Sequence, residues 1–278
     1  DVYGAGYFYI PGTETCLRIH GRVRYEIRGS SVTDAWSKYT EARLEATAKN
    51  ETDYGTLTSY IRYDLTRTDG AAGQGAKAYF NLAGFEVGFF DSQWARFLGY
   101  GGFTDAGGSY GFHNRHYISY SFAADGFSGY VSLDHDTNNN YTPDISAGVK
   151  GTFGNFGAGV QAGWDESTDE FAVAGYLTTT FDPVSLKLIA LYASGTNSYW
   201  SDSEWSVIVG AQAALTDKLS AAVDFQWWDD TGVNDWAVIG ALVYDIAPGL
   251  QTRLELTYTD VAVGSSTTTG FLRFDRTF

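Results

Sequence analysis

The sequence predicts an all-β protein: a transmembrane antiparallel β-barrel of about sixteen strands, formed as one domain over residues 1–278. Three observations lead there. Residue types alternate at period two along most of the chain. Aromatic residues reach 17% although mean hydropathy is only −0.20. The last segment, Gly270-Phe271-Leu272-Arg273-Phe274-Asp275-Arg276-Thr277-Phe278, alternates in the same way and closes on an aromatic. One face of a membrane strand meets lipid and the other meets water, so hydropathy cancels while aromatics collect at the two lipid–water boundaries. A closed barrel pairs its last strand with its first and can place a terminal ring such as Phe278 at that boundary. Soluble sandwiches and propellers also show short alternating strands. Neither needs so many of similar length with Arg and Glu set against aliphatics.

The clearest strand runs from Cys16 to Arg28. Leu17, Ile19, Gly21, Val23, Tyr25 and Ile27 share one face, and Arg18, His20, Arg22, Arg24, Glu26 and Arg28 the other. A slip of one residue would turn four arginines to lipid at roughly 2–4 kcal/mol each near the midplane, so the register is strongly specified. The next strand sets Ala42, Leu44, Ala46 and Ala48 against Glu41, Arg43, Glu45, Thr47 and Lys49. A third sets Leu57, Ser59, Ile61, Tyr63 and Leu65 against Thr58, Tyr60, Arg62, Asp64 and Thr66.

Further strands carry less charge. Phe127, Val131 and Leu133 oppose Ser128, Tyr130, Ser132 and Asp134. Phe156, Ala158, Val160, Ala162 and Trp164 oppose Gly157, Gly159, Gln161, Gly163 and Asp165. Leu219, Ala221, Val223, Phe225 and Trp227 oppose Ser220, Ala222, Asp224 and Gln226. Leu250, Leu254, Leu256 and Tyr258 oppose Gln251, Arg253, Glu255 and Thr257. Long polar connections are expected at 29–37, 67–75, 91–112, 136–143, 194–203 and 261–268. Tight turns are expected at Asn50–Thr52, Ala83–Gly84, Ala124–Gly126, Phe153–Asn155, Asp182–Pro183, Thr216–Asp217 and Pro248–Gly249. Long loops on one rim and short turns on the other are the layout of membrane barrels. Sixteen strands take about 17 residues each with their connections, room for the ~9–11 residues a crossing strand needs. Fourteen stays open, because the pattern blurs around Lys77–Phe90 and Trp236–Tyr244. An even number would put both termini on the short-turn side.

Composition narrows the function. No apolar run approaches the ~18–20 residues of a membrane helix; stretches such as Leu188–Ala193 are strand-sized. A formal charge of −15, from 33 acidic and 18 basic residues, argues against nucleic acid as a partner. The single cysteine, Cys16, excludes a disulfide within the chain and metal clusters built on cysteine. The absence of methionine is compatible with removal of an export segment and equally with a shortened chain.

The N-terminal run Asp1-Val-Tyr-Gly-Ala-Gly-Tyr-Phe-Tyr-Ile-Pro-Gly-Thr-Glu-Thr-Cys16-Leu-Arg-Ile-His-Gly-Arg-Val-Arg-Tyr25 closely resembles the start of the major outer-membrane porins of Brucella and rhizobia. The ending Phe271–Phe278 is similar to the ending of that family. Val87-Gly88-Phe89-Phe90-Asp91-Ser92-Gln93-Trp94 with Phe97-Leu98-Gly99-Tyr100 resembles its third loop, and Tyr117-Ile118-Ser119-Tyr120-Ser121-Phe122 the strand after it. Between Tyr130 and Thr268 only the barrel pattern is shared. The resemblance implies a sixteen-stranded homotrimer in the outer membrane of a Gram-negative bacterium, in contact with its lipid and lipopolysaccharide. It implies passive diffusion of ions and small hydrophilic solutes, a loop folded into the barrel, and no cofactor. Family members are usually longer and often carry a second Cys just upstream of the position of Asp1, outside this chain. The shorter length suggests trimmed external loops.

A barrel of this size leaves an aqueous lumen, and selectivity then depends on what narrows and charges it. Segment 91–112 is the longest connection, and its Trp94, Phe97, Leu98, Tyr100 and Phe103 are too apolar for a free external loop. Folded inward, it would bring Asp91 and Asp105 opposite Arg18, Arg22, Arg24, Arg43 and Arg62, expected at roughly mid-height. The expected site is thus a pore constriction with a transverse field, centred on Arg22, Arg24 and Arg43. The bland reading has these charges solvate the lumen and pair across strands. Arg28 and Lys49, nearer the rims, read as wall charges. Net charge suggests weak cation selectivity.

Competing sites are weaker. Asp134-His135-Asp136-Thr137-Asn138-Asn139-Asn140 starts like a calcium loop but has Asn139 at the sixth place and Ile145 at the twelfth. His113 and His116 lack further ligands nearby. Asp165, Glu166, Asp169 and Glu170 read as a solvated rim. An enzyme is not expected: four histidines and no nucleophile motif leave little for a hydrolase. The alternative is a plugged or narrow barrel acting as adhesin or receptor, which would rely on long loops.

Overall fold

The computed structural model describes residues 3–33, 35–106, 114–135, 140–230 and 233–278. A two-residue strand β1 (Phe8–Tyr9) precedes β2 (Cys16–Ser30), β3 (Ala35–Thr52), β4 (Gly55–Thr68), β5 (Ala71–Leu82) and β6 (Phe85–Asp91). A short helix α1 (Gln93–Phe97) follows, then β7 (Asn114–Ala124), β8 (Phe127–Asp134), β9 (Asp144–Phe153), β10 (Phe156–Asp165) and β11 (Glu170–Phe181). The chain finishes with β12 (Val184–Ala193), β13 (Trp205–Ala214), β14 (Leu219–Asp230), β15 (Val233–Ala247), β16 (Leu250–Asp260) and β17 (Thr267–Thr277). Each strand from β2 onward pairs antiparallel with the next, and β17 pairs back onto β2 through Thr269↔Ser30 to Thr277↔Arg22. Sixteen strands therefore close the barrel, and β1 adds a small flap on β2 through Phe8↔Leu17. Fourteen is excluded: the blurred stretches form β5, β6 and β15.

The alternation is obeyed on every strand read from sequence. On β2 the outward Ile19, Val23 and Tyr25 are exposed while Glu26 is buried. Outward rings form two belts, as lipid–water boundaries favour. Phe85, Phe122, Phe127 and Phe156 are exposed near the short-turn rim. At the other rim Tyr192 meets Trp205 at 4.7 Å and Trp236 meets Tyr258 at 5.5 Å, centroid to centroid. Phe278 exchanges two backbone hydrogen bonds with Gly21, each 3.1 Å. A Cβ on Gly21 would stand 3.1 Å from the Phe278 ring and 2.2 Å from the carbonyl oxygen of Arg43, so glycine is needed there.

Three boundaries differ from expectation. The connection expected at 29–37 is shortened, because β2 runs to Ser30 and β3 starts at Ala35. The expected long connection 67–75 is a two-residue turn, Asp69–Gly70, with φ of +48° and +97°. Asp-Gly is the dipeptide of a type I′ hairpin, and Asp69 Oδ1 also accepts the amide of Lys38 at 2.7 Å. The turn expected at Asn50–Thr52 lies at Asp53–Tyr54, because β3 runs on to Thr52. Both ends of the barrel, the start of β2 and the end of β17, lie on the short-turn rim.

The apolar core lies inside the barrel. Trp94, Phe97 and Leu98 from the connection after β6, with Tyr199 and Trp200 from the connection after β12, pack on inward residues Tyr130, Ala172, Ala174, Ile189, Leu191 and Ile208. Strands β11 to β13 are thus apolar on both faces, with lipid outside and folded loops inside.

Candidate functional site

The connection after β6 turns inward at Ser92, whose hydroxyl caps α1 by accepting the Ala95 amide at 3.2 Å. Gln93 Nε2 donates to Ser119 Oγ of β7 at 3.0 Å, and Gln161 Nε2 of β10 to the Trp94 carbonyl at 3.0 Å. Lys150 of β9 donates to the Phe97 carbonyl at 2.6 Å, and Lys187 of β12 to the carbonyls of Leu98 and Gly101. These cations sit where the helix and the turn after it present unsatisfied carbonyls.

Further along the loop the polarity reverses. Asp224 of β14 accepts the amides of Phe103 (3.1 Å) and Thr104 (2.7 Å) and the Thr104 hydroxyl (2.5 Å). Glu255 of β16 accepts the amides of Asp105 (2.9 Å) and Ala106 (2.7 Å). Arg273 of β17 forks the Asp105 carboxylate at 3.0 and 2.6 Å. The loop therefore follows the wall from beside β6 to beside β2. Glycine makes this approach possible: a Cβ on Gly102 or Gly210 would stand 2.3 or 2.1 Å from the Asp224 carboxylate. Burial raises the pKa of Asp105, but the hydrogen bonds and charge of Arg273 outweigh it and hold this carboxyl below the usual range.

Strands β2 to β4 carry a ladder of charges on their inner face. Arg24 Nε reaches Asp275 Oδ1 at 2.7 Å across the closing seam, and Arg273 Nε reaches Glu26 Oε1 at 2.6 Å. Arg22 Nε binds Glu41 Oε1 at 2.7 Å, and Arg43 Nη2 lies 3.3 Å from the same oxygen. Arg43 Nε and Arg62 Nε take the two oxygens of Asp64 at 2.7 and 2.8 Å. Arg22, Arg24, Arg43 and Arg62 are thus brought together.

The other expected site residues do not pair with that row. Arg18 is exposed near the start of β2, where a Cβ on Gly6 would meet its Nε at 3.6 Å. Asp91 pairs with Lys77 at 2.7 Å and accepts from the Tyr100 hydroxyl at 3.2 Å, on wall adjoining the row. Asp105 is held at the closing seam. Each acid is engaged by a partner of its own, one at either end of the loop.

A second inward loop follows β12, where an external polar connection was expected. Ser198 Oγ donates to Asp144 at 2.6 Å, the Ser198 amide to Asp165 at 2.7 Å, and the Tyr199 hydroxyl to Asp134 at 2.9 Å. Asp165 is consequently buried and also accepts the amides of Ser167 and Thr168, so it does not belong to a solvated rim. Asp134 is fully buried among Ser132, Ser146 and Tyr199, and the calcium-like segment 136–139 and His113 lie outside the described residues. The His116 ring lies 4.8 Å from that of Phe89, tilted by 46°, and no group of three metal-ligating side chains occurs among the described residues.

The sequence reading missed Asp224, Glu255 and Arg273 as loop clamps, although the alternation had put Asp224 and Glu255 on the lumen face. A usable signal was present. Leu188–Ala193 is apolar at consecutive positions, which on a lipid-facing strand requires something apolar inside as well.

A closed sixteen-stranded membrane barrel with a charged inner wall and an inward loop is the architecture of a diffusion channel. Residues 1–271 match the family model described as the porin subfamily, and the chain belongs to that family of outer-membrane channel proteins. Outer membrane protein IIIA of Rhizobium leguminosarum bv. viciae is 32% identical, the match covering 98% of this chain and 82% of the relative. Porin Omp2b of Brucella neotomae is 32% identical over 100% of this chain and 89% of its own. Among solved structures, the anion-selective porin from Comamonas acidovorans superposes with a TM-score of 0.72 at 12% identity, over 95% of this chain and all of that one. The trimer form of OmpT from Vibrio cholerae gives 0.73 at 13% identity, over 96% and 100%.

Proposed function

We propose that the protein is an open passive channel for ions and small hydrophilic solutes, narrowed where the loop after β6 faces the arginine row of β2 to β4. The observation that carries this is the run of wall contacts from Gln93 to Asp105. They hold the loop within the lumen along β7 to β17, so the remaining aperture is bounded by the loop and by Arg22, Arg24, Arg43 and Arg62. A polar aperture passes hydrated solutes and penalises apolar ones, which cannot replace the ordered water. Because OmpT of V. cholerae is described in a trimer form, three such barrels are taken to associate in the outer membrane.

Liposome swelling tests the reading. Sugars of increasing size should enter at falling rates with a sharp cut-off, and deleting residues 93–105 should raise it. A folded protein that admits no sugar or salt would refute it. Cross-linking should give a heat-labile trimer.

A further inference from the structure

We infer that the arginine row is a binding station for small tetrahedral oxyanions of the phosphate class, and that it makes the channel anion-preferring. This rests on the open-channel reading above and reverses the sign that a net charge of −15 suggests.

The first reason is register. Arg22 and Arg43 are direct partners in the β2–β3 ladder, and Arg62 and Lys77 are direct partners between β4 and β5. Like charges placed opposite one another cost stability, so a second role is needed to account for two such pairs side by side.

Stoichiometry is the second reason. Two carboxylates serve three guanidiniums: Glu41 is shared by Arg22 and Arg43, and Asp64 by Arg43 and Arg62. In that run the guanidiniums outnumber the carboxylates bonded to them, and Glu45, opposite Arg62 in the β3–β4 ladder, balances the formal charge. The bonded donors are Nε and Nη2 of Arg22 and Arg43 and Nε of Arg62. Among the described residues, Nη1 of all three and Nη2 of Arg62 have no partner. Guanidinium forks match tetrahedral oxyanions through two parallel N–H donors to two oxygens, whereas a single chloride offers no such pair of acceptors.

Depth is the third. The Arg22 side chain is 23% exposed against 7% for Glu41, and Arg43 is 14% exposed against the same 7%. Arg24 shows 16% against 6% for Asp275. Arg43 and Arg62, at 14% and 12%, are level with Asp64 at 13%, so a passing ion meets the tips of Arg22 and Arg24 before the carboxylates behind those two. The two loop-end acids are neutralised: Asp91 by Lys77, and Asp105, itself 45% exposed, by Arg273. Glu45, the cross-strand partner of Arg62, accepts from the Tyr60 hydroxyl and lies 3.5 Å from His20. Charge on the outer rims is screened within about 8 Å at physiological salt, so groups lining the aperture set the local preference.

The test is single-channel current in planar bilayers, using the purified protein. Reversal potential is read across a KCl gradient, and inorganic phosphate is then titrated at constant KCl. The expected reversal potential has the anion sign, and phosphate should reduce chloride current saturably. In Arg22→Gln/Arg43→Gln the sign should invert, and the half-blocking phosphate concentration should rise about tenfold or more. Arg22→Lys/Arg43→Lys should keep the sign while losing most of the block, because lysine supplies a point charge without the fork. Arg62→Gln, at the end of the row, should weaken the block partly and serves if the double variant does not fold.

A conducting wild type with cation sign and no phosphate block overturns this inference and leaves the channel reading intact. So does an unchanged block in a folded double Gln variant. Folded protein that never conducts overturns the channel reading and this inference with it.

Discussion

Replacing Asp224 by Ala should release the middle of the inward loop. The carboxylate is fully buried and accepts three hydrogen bonds from the loop, at 3.1, 2.7 and 2.5 Å. A hydrogen bond to an ionised group contributes roughly 1.5–3 kcal/mol, which puts three at about 4.5–9 kcal/mol if nothing replaces them. Water in the lumen can re-solvate the amides of Phe103 and Thr104, so a net loss of about 2–4 kcal/mol is expected. That shifts the docked-to-released ratio roughly 30- to 1,000-fold. Asp224→Asn keeps one carbonyl acceptor and should fall between the two. Hydrogen exchange at the amides of Phe103 and Thr104 reads the shift directly, and open-channel current noise should rise as the loop moves. If a folded Asp224→Ala protein exchanges those two amides at the wild-type rate with unchanged noise, the clamp argument is wrong.

Three further outcomes follow from the same contacts. Asp105→Asn should loosen the end of the loop and enlarge single-channel conductance. Because Arg273 lowers the Asp105 pKa, that contribution is complete above the unfolded value of about 3.9 and is lost as pH falls through the lower folded value. Conductance should thus hold steady from pH 7 to about 4 and rise only below. Gly21→Val should hinder closure, since its Cβ would meet the Arg43 carbonyl oxygen at 2.2 Å; loss of the heat-shiftable folded band on gels checks it. Gly163→Val should displace Tyr199, whose ring would stand 2.6 Å from the new Cβ. The Tyr199–Asp134 bond would break, and thermal unfolding should shift down by an amount matching about 1–3 kcal/mol.

The barrel was legible because its signals are local. Alternation on β2 to β4 needs only neighbouring residues: Arg22 beside Val23 and Arg43 beside Leu44 assign each side chain to water or lipid. The terminal alternation through Phe278 marked the closing strand for the same reason, and Asp69-Gly70 carried its own turn geometry even though the reading allowed a longer loop there. The inward loop was legible from Trp94, Phe97 and Phe103, rings too apolar to be left in water.

Partner choice was not legible. Alternation names the face on which Arg24, Glu26, Asp224 and Asp275 lie, but says nothing of which meets which. Arg24 meets Asp275 across 251 residues, and Arg273 meets Glu26 across 247. Those pairings depend on strand stagger around the closed wall, a property of the whole ring. The second inward loop was missed because Asn197 and Ser198 are polar, and their partners Asp144 and Asp165 come from other strands. The sequence by itself determined a membrane barrel, the inward and outward faces of its strands and its water-facing charges, because lipid on one side and water on the other constrain each residue separately. Only the tertiary structure decided which carboxylates hold the loop and which lie behind the arginine row, because closure alone brings distant strands within hydrogen-bond reach.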